Sequence, residues 1–286
     1  MMAGRNGRSE TALVTGASSG IGLELARVLG ANHHPLIIVA RDREKLQGVA
    51  RQLQAAYDIP VSAFATDLSK QGAAEQVWSE ISVANKTVDI LINNAGVGVY
   101  GEFQDESLDA LQRMLMLNTV ALTTLTRLAL PGMLARKSGK ILNLASVVGY
   151  QPGGPRMSAY YATKSYVLSL SKGLARELEG TGVTVTALSP GVTKSSFEET
   201  AGASGTVLYR LIPQMSAPAV AIAGYRGMMR GRRVVLPGLA TKLMALAGEL
   251  PPRVIALEVN RLLLKRLPET SKTADNSWRL KNRHKQ

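Results

Sequence analysis

Tyr160 and Lys164 are the residues of this 286-residue chain whose types and spacing most directly suggest chemistry. Four positions apart, they share one face of any helix that contains them, and an ammonium beside a phenol favours the phenolate. An unperturbed tyrosine titrates at a pKa of about 10, too high for efficient proton exchange near neutrality, so a neighbouring positive charge makes Tyr160 a usable general acid/base. Tyr161 competes for the role, but four positions beyond it stands Ser165, which supplies no charge. A second cluster, TGASSGIG from Thr15 to Gly22, follows a short apolar run. Gly16 permits a tight turn, and Gly20 and Gly22 permit close backbone approach. The helix that follows aims its N-terminal dipole at an incoming anion, an arrangement suited to a pyrophosphate. Each signal has an ordinary reading on its own: a Tyr/Lys pair can be a surface pair, and this glycine spacing differs from the commoner GxGxxG.

The elements that must position these residues are legible in the hydrophobic pattern. Short β-branched runs occupy Ala12 to Thr15, Leu36 to Ala40, Val61 to Thr66, Ile90 to Asn93, Ile141 to Ala145, Val183 to Leu188 and Val234 to Leu236. Between them, stretches such as Asp42 to Tyr57 and Ser69 to Ala84 carry apolar residues at helical spacing. The alternation predicts an α/β chain: a single doubly wound, Rossmann-type domain with a parallel sheet, which binds ligands at the carboxyl ends of its strands. Polar groups recur at those ends. Asp67 follows the third strand, Asn93-Asn94-Ala95-Gly96 ends the fourth, Ser146 follows the fifth, and Pro190-Gly191 follows the sixth.

TGxxxGxG, NNAG, Ser, YxxxK and Pro-Gly in this order resemble the short-chain dehydrogenase/reductase superfamily over about residues 11 to 237. The resemblance implies hydride transfer between a nicotinamide cofactor and a carbonyl or alcohol carbon. Tyr160 is then the acid/base, Lys164 also bonds the nicotinamide ribose, Ser146 holds the substrate oxygen and Asn118 supports a water relay. It implies cofactor contacts at Gly16, Ser18, Ser19, Gly20, Ile21 and Gly22, at Arg41, Asp67 and Leu68, and at Asn94, Ala95 and Gly96. Further contacts fall at Tyr160, Lys164, Pro190, Gly191, Thr193 and Ser195, the last standing where the family usually has threonine. Cofactor choice falls at the end of the second strand, where an acidic residue would bind a ribose 2′-hydroxyl and repel a phosphate. Ala40 is instead followed by Arg41, with Arg43 nearby, which predicts NADP(H) over NAD(H). Asp42 reads as a helix cap, and the resemblance reserves Asp67 for the adenine. The interval from Ser146 to Tyr160 is one residue longer than is common in the family, with Gly153-Gly154 as the place for the insertion.

Composition narrows the alternatives. The chain has no cysteine, which excludes disulfides and thiolate chemistry, and no metal site is expected. Its +13 charge is regional: residues 1–200 hold 19 Lys+Arg against 17 Asp+Glu, and residues 201–286 hold 15 against 4. The cluster from Arg226 to Arg233 lacks interleaved aromatics beyond Tyr225, so it reads as a solvated face and no nucleic-acid partner is expected. The polar stretch Met1 to Ser9 is not a signal peptide, which predicts a cytoplasmic location. Arg127 and Lys242 interrupt the longest apolar stretches, so no spanning helix is expected. His33 and His34 read as solvated loop residues, Ser196 to Ala217 as a mobile substrate lid, and the tail from Pro268 as poorly ordered.

The expected organisation is a Rossmann-fold NADP(H)-binding and catalytic domain over 1–237 and a basic helical extension with a polar tail over 238–286. The helices after Leu108 and Ala159 are expected to build a homodimer or homotetramer. Leu239 to Leu250 and the helix Arg253 to Leu267, with Ile255, Ala256, Val259, Leu262 and Leu263 on one broad face, suggest either a cover for the pocket or a weak peripheral membrane contact. The competing functional reading is a non-catalytic NADP(H)-binding regulatory protein, which has no need of a proton donor or Ser146.

Overall fold

The computed structural model describes residues 9–250 and 252–267. Its strands are β1 (Ala12–Thr15), β2 (Leu36–Ala40), β3 (Val61–Ala65), β4 (Ile90–Asn93), β5 (Gly139–Leu144), β6 (Val183–Leu188), β7 (Thr193–Lys194), β8 (Met215–Ser216) and β9 (Val234–Val235). Seven of them form one parallel sheet in the order β3-β2-β1-β4-β5-β6-β9, and β7 pairs with β8 apart from it. The chain winds outward from β1 to β3 and then returns to place β4 beside β1. That reversal opens a crevice at the carboxyl ends of β1 and β4.

The helices are α1 (Gly20–Ala31), α2 (Arg43–Tyr57), α3 (Ala73–Val83), α4 (Leu108–Leu115), α5 (Leu122–Ala135), α6 (Ser158–Glu177), α7 (Phe197–Thr200), α8 (Val207–Leu211), α9 (Ala217–Met229), α10 (Leu239–Glu249) and α11 (Arg253–Leu263). Covered on both faces, the sheet needs apolar side chains on both sides, which explains why β1, β2 and β4 are apolar runs, with polar residues only at the carboxyl ends of β1 and β4, rather than alternating ones. Val14, Ile38, Ile92, Leu142 and Leu188 pack towards α1, α2 and α9. Leu13, Ile37, Leu91, Ile141 and Val185 pack towards α3, α5 and α6.

Asp42 caps α2 as expected, its Oδ1 accepting the Lys45 N–H at 3.0 Å. The helix expected from Ser69 begins only at Ala73, because Ser69 is used in a turn on Asp67. Leu108–Ala135 runs as one helical stretch, broken internally by a π-turn at Met116–Ala121. By length and composition it could cross a membrane, but Met114, Leu125, Ala129 and Met133 lie in the core. Its apolarity belongs to its packing.

One expectation is corrected. His34 is buried, not solvated: Nδ1 lies 2.9 Å from the Glu10 carbonyl and Nε2 3.2 Å from the Tyr225 hydroxyl, joining the chain before β2 to α9. Its partner is 191 positions away, beyond the reach of local pattern. His33 alone is exposed. The segment 196–217, expected as a substrate lid, holds α7 and α8, and β7 just before it pairs with β8 near its end. The tail from Pro268 lies outside the described residues.

Candidate active site

Thr15 ties together the two strand ends that frame the crevice. Its Oγ1 donates to the Ile92 carbonyl at 3.2 Å and accepts from the N–H groups of Asn94 and Ala95 at 3.0 and 3.1 Å. Asn94 Nδ2 donates to the carbonyls of Thr15 and Gly16 at 2.9 and 3.2 Å. The glycines have separable roles. Gly16 sits at φ +66°, and a Cβ there would stand 2.8 Å from Asn94 Nδ2, so both backbone sign and space demand glycine. A Cβ on Gly22 would collide with the Gly16 carbonyl and the Asn94 amide. Gly22 therefore backs the loop and does not line the cleft, unlike Gly16, Ser18, Ser19, Gly20 and Ile21. Ser19, at the N-cap of α1, makes no side-chain cap bond, which leaves the first-turn N–H groups to an anion such as a pyrophosphate.

At the far end of the cleft, Arg41 follows β2 and Asp67 follows β3, with Leu68 beside it. Burial alone would raise the Asp67 carboxyl, but hydrogen bonds from the Ser69 hydroxyl (2.7 Å) and N–H (3.1 Å), with the charges of Arg41 and Lys70, hold it below the usual carboxylate range. Asp67 is thus an anion held as an acceptor. Arg41 stands near enough to influence it electrostatically.

Ser146, Tyr160 and Lys164 meet at the carboxyl end of β5. Ser146 caps the short 3₁₀ turn Val147–Tyr150, its Oγ accepting the Val148 N–H at 3.3 Å. Tyr160 and Lys164 share a face of α6, and Lys164 Nζ lies 5.8 Å from the Tyr160 ring centre while donating to the Leu144 carbonyl at 2.8 Å. Burial dominates both titrations. It pulls Lys164 down to about 8. It pushes Tyr160 well above the usual phenol value; the nearby Tyr209 adds to the rise, and a hydrogen bond with Ser146 works against it. Burial thus works against the phenolate that a neighbouring ammonium favours, and it favours Tyr160 in its protonated, acid form.

Asn118 sits behind this wall, in the π-turn, and does not line the cleft. Its Oδ1 accepts from Val97 N–H, and its Nδ2 donates to the Val97 carbonyl and to Thr163 Oγ1, all within 2.9 to 3.1 Å. Thr163 in turn donates to the Tyr160 carbonyl at 2.7 Å. The side chain expected to serve a water relay braces the loop after β4 against α6.

Asn94, Ala95, Gly96, Pro190, Gly191, Thr193 and Ser195 complete a single cleft of about 880 Å³. Gly191 faces Thr241 of α10, whose Oγ1 would stand 2.7 Å from a Cβ there. Residues that sequence reading missed form the roof: Phe197, whose ring centre is 5.2 Å from that of Tyr160, Tyr209 on α8, Met244 on α10, and Asn260 and Leu263 on α11. Asn260 Nδ2 donates to the Gly153 carbonyl at 2.7 Å, and Gly154 lies flat against the Tyr161 ring. Gly153, in the glycine pair expected to absorb the extra residue, is thus the seat of α11.

The short chain dehydrogenase family profile matches residues 10–204. An uncharacterized oxidoreductase of Staphylococcus aureus (strain USA300) is 35% identical over 217 residues, covering 75% of this chain and 90% of the relative. A short-chain dehydrogenase from Sphingobium yanoikuyae, solved in complex with NADPH, is 35% identical with a TM-score of 0.75 over 84% of this chain and 92% of that one. A bulky-bulky ketone specific alcohol dehydrogenase from Comamonas testosteroni is 30% identical, with a TM-score of 0.70 over 85% and 95% of the two chains.

Proposed function

The chain belongs to the short-chain dehydrogenase family, and on that premise we propose that it is an NADP(H)-dependent oxidoreductase acting on the carbonyl or secondary alcohol of an apolar small molecule. The observation that carries this reading is the placement of Ser146, Tyr160 and Lys164 on one wall of the cleft whose other end is the Gly16–Ile21 cradle. Preference for NADP(H) rests on Arg41 at the end of β2, with the adjacent Asp42 carboxylate engaged in capping α2. The relative solved with NADPH supports it. An apolar substrate fits a roof built from Phe197, Leu208 and Leu263 beside Met157, and the ketone specificity of the Comamonas enzyme points the same way.

A dinucleotide bound in this cleft supplies the hydride in reduction or accepts it in oxidation. The chain's own residues do the rest. Tyr160, held protonated, gives its proton to the substrate oxygen as charge develops there. The Ser146 hydroxyl, which accepts from the Val148 N–H and lies within hydrogen-bond reach of Tyr160, can turn its own hydrogen to the same oxygen. Lys164 spends one N–H on Leu144 and retains two donors for ribose hydroxyls. Below about pH 8 its charge also stabilises the phenolate that proton transfer leaves on Tyr160. Asn118 is a positioning residue, fixing Val97 and, through Thr163, the backbone of Tyr160. The domain up to residue 237 carries this machinery, and α10 and α11 of the extension roof it.

NADPH consumption, followed by absorbance across a panel of bulky ketones, small aldehydes and sugars, tests the assignment. We expect turnover concentrated on the bulky apolar ketones. Tight NADPH binding with no turnover on any carbonyl, and none on the matching alcohols with NADP+, would instead identify a non-catalytic cofactor-binding protein.

A further inference from the structure

The two C-terminal helices roof the cleft with one face and leave an apolar stripe on the other. On α10 and the residue that ends it, Leu239, Leu243, Leu246 and Leu250 follow one another at spacings of four, three and four, and all are exposed by half or more. These spacings place the four leucines on one narrow face of a helix. On α11, Ile255, Val259 and Leu262 repeat the pattern, each about half exposed. The inward faces are Thr241, Ala245 and Gly248 on α10, and Asn260 with the following Leu264 on α11. Single exposed apolar residues are ordinary, but seven arranged as two helical stripes on consecutive helices indicate a contact surface.

Charge identifies the occupant. Lys242, Arg261, Lys265 and Arg266 border the stripes as exposed cations against Glu249 and Glu258. In sequence the chain continues with Lys272, Arg279, Lys281, Arg283 and Lys285. The surrounding third of the chain, residues 201–286, carries 15 Lys+Arg against 4 Asp+Glu. A second copy of the same face would bring like charges together. An anionic lipid surface instead matches both the stripes and the cations, the combination that holds amphipathic helices in the plane of a membrane interface.

We propose that α10 and α11 seat the protein on an anionic lipid bilayer, with the leucine stripe of α10 and the Ile255–Leu262 stripe of α11 entering the interface. The exposed Arg266 is fixed at the edge of this face, with Nη2 donating to the Gly202 carbonyl at 2.9 Å and the charge lying 5.3 Å from the Tyr100 ring centre. The same helices line the cleft through Met244, Asn260 and Leu263, so the roof of the pocket would rest at the lipid boundary, where apolar substrates partition.

Co-sedimentation of the full chain with phosphatidylcholine vesicles, with and without phosphatidylglycerol, tests the proposal without reference to turnover. Binding is expected only with phosphatidylglycerol, weakened several-fold by high salt. A Leu243→Glu/Leu246→Glu double variant should lose it while retaining NADPH binding, which reports the intact fold. An Ile255→Ser/Leu262→Ser variant should weaken it by a smaller factor. No sedimentation with phosphatidylglycerol vesicles at low salt would overturn the proposal, as would undiminished binding by both variants, which would assign the attraction to the basic residues alone. If light scattering showed that the α10 variant splits an oligomer while the parent ignores vesicles, the occupant would be a second copy.

Discussion

At the scale of single residues, the parts legible in sequence were those whose chemistry is local. Tyr160 and Lys164 could be paired because a helix brings positions four apart to one face, and the structure places them so on α6. The protonation state was not legible, because burial, a property of the folded chain, outweighs the neighbouring ammonium. One consequence concerns stability. The Lys164 ammonium is harder to hold in the folded state than in the unfolded one, so its cost is full below about pH 8 and fades as pH rises towards 10.5. Lys164→Met should therefore stabilise the protein near neutrality by up to about 3 kcal/mol, less about 1 kcal/mol for the lost bond to Leu144. Denaturant titrations should show the advantage shrinking between those pH values; a pH-independent difference would contradict it. Gly22→Ala tests the cradle. Its methyl would strike the Gly16 carbonyl, so NADPH affinity should fall by at least tenfold and stability by about 1–3 kcal/mol, read by cofactor titration and thermal unfolding. Unchanged affinity would show that the loop tolerates a side chain.

At the scale of elements, strands and the first helices were readable because a doubly wound sheet writes its burial into continuous apolar runs. The π-turn at Met116–Ala121 and the docking of α11 on Gly153 were not, since each depends on partners distant in sequence. The extra residue between Ser146 and Tyr160 was visible as a departure in length, and only the fold shows that it accommodates the roof. Asn260 makes this testable. It is buried and donates to Gly153, so Asn260→Ala should loosen α11 and raise KM for a bulky ketone several-fold, with little change in NADPH affinity. Steady-state kinetics at varied ketone and varied NADPH separate the two. Equal losses in both would mean that α11 supports the whole domain rather than the substrate end.

At the scale of the whole molecule, α4, the π-turn and α6 keep Leu108, Leu115, Val120 and Tyr166 exposed although their opposite faces lie in the core. We expect these helices to pair with a second copy about a two-fold axis, as apolar faces of this kind do in isologous dimers. This surface is distinct from that of α10 and α11. Light scattering should report a mass above 30.5 kDa at micromolar concentration, and Leu115→Glu/Val120→Glu should return it to the monomer. A parent protein already at 30.5 kDa would contradict the pairing.

The central claim, that Tyr160 delivers the proton in a nicotinamide-dependent reaction, is tested most directly by Tyr160→Phe. The ring and its contact with Phe197 persist while the hydroxyl goes. With a ketone from the screen, the account predicts that kcat falls by about 10²-fold or more while the dissociation constant for NADPH stays within a factor of two or so of the parent. A Phe variant that turned over within a few-fold of the parent rate would contradict it.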